Sequence, residues 1–105
     1  MDFEKFVCEK LRSAGDVYAK PMVGTYNIVL DKINLGIICT RQGDGGRWYL
    51  KKTLCGDGFL EANGINLKTG INGNSYIITD FSDKEKLCEL AKITRDEIMK
   101  SKNIT

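Results

Sequence analysis

Residues 25–52 read TYNIVLDKINLGIICTRQGDGGRWYLKK, and the way this stretch divides decides the fold. Thr25 to Asp31 alternates: Tyr26, Ile28 and Leu30 fall on one face, Asn27, Val29 and Asp31 on the other. That period of two marks a strand with one buried face. Leu35 to Thr40 is apolar on both faces apart from Gly36, as in a central strand packed under a helix. Asp31-Lys32 between them is short enough for a hairpin. Gln42-Gly43-Asp44-Gly45-Gly46 is a run of turn formers leading into Arg47 to Lys52 (RWYLKK), a third strand with Trp48 and Leu50 pointing inward. The three make an antiparallel meander.

Upstream, Lys20-Pro21 is an extended dipeptide whose missing amide hydrogen suits an edge strand, a strand start or a bulge. Phe3, Phe6, Val7, Leu11 and Ala14 recur as one helical stripe, with Asp2 as its cap and Gly15 as its stop. Downstream, the spacing predicts a short helix from about Gly58 to Ala62, capped by Asp57 and stopped by Asn63-Gly64. Ile65 to Thr69 then reads as a short strand turning through Asn72-Gly73 into Ser75 to Phe81. Ser82-Asp83-Lys84-Glu85 reads as a capping box. It opens a helix whose stripe is Leu87, Leu90, Ala91, Thr94 and Ile98. The expected architecture is α+β, in the order α-β-β-β-β-(α)-β-α. An antiparallel sheet of about five strands is flanked by N- and C-terminal helices in one domain spanning residues 1–105.

Composition excludes several function classes. The 105 residues are 42% hydrophobic and 29% charged, in the range of a globular domain. Net charge is only +2, and no apolar run approaches the roughly 18–20 residues of a membrane span. The opening MDFEKFVCEKL has acids where a secretion signal is basic, so the expected location is cytoplasmic. No histidine is present, which removes Ser-His-Asp and Cys-His catalysis and every imidazole-built metal site. Cys8, Cys39, Cys55 and Cys88 stand apart with no short-spaced pair, so free thiols are expected rather than a zinc site.

Lys20-Pro21-Met22-Val23-Gly24-Thr25-Tyr26, Asp31, Leu35-Gly36-Ile37-Ile38-Cys39 and Arg47-Trp48-Tyr49-Leu50-Lys51 together resemble the TfoX N-terminal domain family, here as a stand-alone short form. That family's pattern is close to K-P-M-F-G-x-Y, a D-G turn, a glycine-containing apolar strand and a final r-l-y-l-K. Leu87, Leu90, Ile93, Thr94 and Ile98 resemble its closing helix. Val23 stands in place of the usual aromatic, Lys32 in place of the turn glycine, and Leu67 to Asn74 in place of a Pro- and Tyr-containing link. The resemblance implies a bacterial α+β domain with a secretion-chaperone-like arrangement. It implies no catalytic residues and no cofactor. The family is named for a competence regulator in which this module precedes a second domain, whose role is not carried over.

Three sets of residues are candidates for function. Arg41, Arg47, Lys51 and Lys52 lie in residues 41–52 with Asp44 as the lone acid, and Trp48 and Tyr49 are interleaved. Together with Lys20 they suit a cationic surface for nucleic acid; the plainer reading is a solvated strand. Lys20, Pro21, Met22, Gly24 and Tyr26 suit either a small binding surface or a strand bend, with Met22 filling core space. Cys55, in the glycine-rich Thr53 to Gly58 loop, has a lowered pKa if it sits near Lys51, Lys52 or a helix N-terminus. Without a proton-transfer partner it reads more simply as a surface thiol. Cys8, Cys39 and Cys88 read as small core residues, and Glu85, Glu89, Asp96 and Glu97 as a solvated helix face. The expected function is a non-enzymatic binding or regulatory module acting through a protein partner or self-association. Nucleic-acid binding and thiol chemistry are the alternatives.

Overall fold

A computed structural model describes residues 3–39, 46–70 and 72–102. Helix α1 (Phe3–Leu11) tightens into a 3₁₀ turn (Arg12–Ala14) and leads to β1 (Val17–Met22), β2 (Thr25–Leu30), β3 (Ile33–Cys39) and β4 (Arg47–Lys51). Helix α2 (Leu54–Ala62), β5 (Lys68–Gly70), β6 (Ser75–Ile78) and α3 (Lys84–Lys102) complete the chain. All six strands form one antiparallel sheet in the order β1-β2-β3-β4-β6-β5. The α+β class and the flanking helices are as expected; the sheet has a sixth strand, β5, at its edge. Pro21 lies on edge strand β1, where no ladder amide is missed. Residues 40–45, with most of the glycine-rich turn, and the Asp2 cap lie outside the described residues.

One face of the sheet supplies Ile28, Leu30, Leu35, Ile38, Trp48, Leu50, Tyr76 and Ile78 to the core, all buried. Val7 and Leu11 of α1, Leu60 of α2, and Leu87, Leu90 and Ala91 of α3 cover them. Phe81 closes one end, edge-on to Phe3 and Phe6 at ring distances of 5.5 Å. The register slips between Ile28 and Val29, and the bulge leaves Leu35 without an opposite partner. Beside it Gly36 has φ +140°, and a Cβ there would lie 1.9 Å from the Tyr49 carbonyl oxygen, so only glycine fits this approach.

Strand β3 starts at Ile33 rather than Leu35 and β6 ends at Ile78 rather than Phe81; three further departures have a visible reason. Helix α2 starts four residues before Gly58. Thr53 caps it, its hydroxyl accepting the Gly56 amide at 2.9 Å. The Glu97 carboxylate of α3 accepts the Leu54 and Cys55 amides at 3.2 and 2.9 Å. Tertiary satisfaction of those two orphan donors outweighs the poor helix propensity of Gly56 and Gly58. Helix α3 is capped by Asp83, which accepts the Lys86 amide at 3.1 Å. The expected Ser82 capping box does not form, because Asp80 takes both the Ser82 hydroxyl (2.7 Å) and its amide (3.0 Å). Strand β5 occupies Lys68–Gly70 rather than 65–69, because Ile65 and Leu67 turn toward the core.

Candidate binding face

Directly opposed residues of antiparallel strands project to the same side of a sheet. The ladders give one row across all six strands: Lys20, Asn27, Ile37, Tyr49, Ile77 and Lys68. None of these belongs to the core cluster or packs against it, and among the described residues no helix covers them. Gly70 confirms the side. A Cβ built on it would meet Tyr49 Cε1 and Ile77 Cδ1, each at 3.1 Å. Neighbouring rows add Lys51, opposite Ser75, and Arg47, opposite Cys39.

The electrostatics of this face are one-sided. The sequences of the six strands hold Lys20, Arg47, Lys51 and Lys68 and no aspartate or glutamate. Lys20, Lys51 and Lys68 are exposed and form no salt bridge with a described residue. The strip between them is half-buried and amphipathic, with Ile37, Tyr49 and Ile77 at its centre.

Of the residues singled out in the sequence, the structure therefore brings together Lys20, Arg47, Tyr49 and Lys51. Tyr26 does not join them; it opposes Ile38 and faces the helix side. Lys52 lies just past β4 and is used internally, its Nζ 2.6 Å from Asp57 Oδ2 and 6.0 Å from the Tyr76 ring centre. Arg41 lies outside the described residues. Asn27, Ile37, Ile77 and Lys68 carry no local signal in the sequence, since only the ladder register shows that they share a row with Tyr49. Met22 is not a core filler but an exposed residue at the end of β1, next to the Val23-Gly24 turn. Cys39 sits half-buried opposite Arg47 and outside the core cluster.

Two other places carry groups with chemical potential. Cys55 is exposed at the start of α2, but its thiol is held above the ordinary cysteine range, chiefly by hydrogen bonding to the Glu97 carboxylate. A thiol whose thiolate is disfavoured is a poor nucleophile. Cys55 does sit at a helix N-terminus, one of the settings in which its pKa would be lowered, but the Glu97 carboxylate beside it acts the other way, in keeping with the plainer reading of a surface thiol. A groove of about 730 Å³ lies between Phe59 and Leu60 of α2, the loop carrying Ile65 and Leu67, and Leu87 and Leu90 of α3. Its carboxylates are engaged: Asp80 by Ser82, and Asp83 by the α3 amide and by Lys86. Among the described residues no cluster of three or more Cys, Asp or Glu side chains is placed to hold a metal ion. No helix among them is long and apolar enough to cross a membrane.

No family model, no curated protein and no solved structure matches this chain.

Proposed function

We propose that this domain is a non-enzymatic binding module whose working surface is the uncovered face of its sheet, and that it takes an anionic partner. The observation that carries this reading is the separation of charge: four cations and no carboxylate on the strands, while the acids among the described residues lie on helices and loops. The half-buried strip of Ile37, Tyr49 and Ile77 offers apolar contact inside that cationic frame. The resemblance to the TfoX N-terminal domain, which brings no catalytic residues, supports the same reading, as does the weakly acidic thiol of Cys55. A second copy docked face to face would set Lys20, Lys51 and Lys68 against their own counterparts, which is costly. The complementary surface is therefore acidic.

An amide-resolved NMR titration with poly-L-glutamate tests this reading. Shifts are expected at Lys20, Ile37, Tyr49, Lys51 and Lys68, fading as salt rises between about 50 and 200 mM. Shifts confined to α1 and α3, or none at the lower salt, would refute it.

A further inference from the structure

The same face permits a narrower statement about its partner, one that rests on the reading above. Interfaces between proteins are depleted in lysine at their centres and enriched in tyrosine and arginine. Phosphate backbones, in contrast, are met by lysine and arginine with few acids nearby. Here three unpaired lysines frame the face, and a tyrosine lies midway along the row from Lys20 to Lys68. With strands about 4.8 Å apart, the row's ends are separated by about 24 Å. That length fits the short end of single-strand sites, which cover roughly 4–16 nucleotides.

The Tyr49 ring lies across Gly70, where a Cβ would stand 3.1 Å from Tyr49 Cε1, so glycine at position 70 lets the ring rest on the sheet face, half-buried with part of its surface open to solvent. Asn27, one strand beyond Ile37, carries both a donor and an acceptor for a base edge. A duplex presents its phosphates on a convex cylinder with bases stacked inside, so Tyr49 could not reach a base face. An unpaired strand offers both phosphate and base to one surface. We infer that the uncovered sheet face binds single-stranded nucleic acid, with Lys20, Lys51 and Lys68 on phosphates and Tyr49 stacked on a base.

Fluorescence anisotropy with labelled oligo-dT and oligo-U of about twelve nucleotides, beside a duplex of equal length, tests it. Binding of the single strands should weaken with salt at a log-log slope no steeper than about −2.1, from the three lysines at about 0.7 each. Lys51→Gln and Lys68→Gln should each flatten that slope by about 0.7. Tyr49→Ala should weaken binding roughly five- to hundredfold, and Tyr49→Phe should restore most of it. Circular dichroism of each variant separates a lost contact from a lost fold. Equal affinity for the duplex with no effect of Tyr49→Ala would overturn the inference. So would absence of nucleic-acid binding while poly-L-glutamate still shifts the face amides; in that case the partner is an acidic protein and the binding-face reading stands. Loss of response to every polyanion would overturn both.

Discussion

Asp31 shows how one side chain can hold three parts of the chain. It sits at the β2–β3 corner, where its carboxylate accepts the Asp16 amide at 2.9 Å and pairs with Arg95 of α3. Those contacts, the Asp16 amide first and Arg95 second, hold its carboxyl below the ordinary aspartate range. A carboxylate more acidic in the folded state stabilises the fold above its unfolded pKa of about 3.9, and that contribution disappears as pH falls through the lower folded value. Thermal stability should therefore drop as the solution is acidified below about pH 4, and less steeply in Asp31→Asn. An identical acid limb in both proteins would remove Asp31 from this role. Its neighbour is strained: Lys32 has φ +71°, after Asp31 at +50°. Lys32→Gly should stabilise the protein by up to about 1 kcal/mol, read from urea midpoints. Glu97 governs Cys55 in the same local way. Alkylation of Cys55 near pH 8 should be slower than that of a free thiol, and faster in Glu97→Gln. The hairpin position of Asp31 could be read from the sequence. Its bond to Arg95, 64 residues away, could not, because nothing local encodes which helix turn crosses that corner.

Among the elements, α2 departs furthest from its sequence pattern. Its nine residues include two glycines, and its start depends on Thr53 and Glu97. Tyr76 also reaches it, its hydroxyl donating to Asp57 at 2.6 Å, while burial and that carboxylate raise the phenol's pKa. Thr53→Ala should cost about 1 kcal/mol and Thr53→Ser much less, as measured by denaturant unfolding. Equal losses would point to packing of the methyl group rather than the cap. The meander and α3 are legible because their apolar period matches their own geometry: Trp48 and Leu50 inward, Leu87 to Thr94 along one stripe. Helix α2 and strand β5 are not, since both exist through partners distant in sequence. The candidate face is half-legible for the same reason. Arg47, Tyr49 and Lys51 share a strand, but Lys20 and Lys68 join them only through strand pairing.

At the scale of the whole molecule the domain is two-sided: helices and core on one side of the sheet, lysines and Tyr49 on the other. Its Cα radius of gyration of 13.0 Å is that expected of a single compact body of this length. Trp48 lies at the centre of the covered side, fully buried, with its indole N–H meeting no acceptor among the described residues. Trp48→Ala should cost roughly 3–5 kcal/mol in calorimetry or urea unfolding. Trp48→Phe should cost clearly less, because it also removes an unsatisfied buried donor. Because β4 places the chain's only tryptophan under the helices and the adjacent tyrosine, half-buried, on the opposite side, the protein carries its own optical label. Indole emission should stay blue while the core is closed and move to the red only when the entire body opens. Selective excitation of that indole, which no ligand on the far side could touch, therefore follows opening of the core by itself.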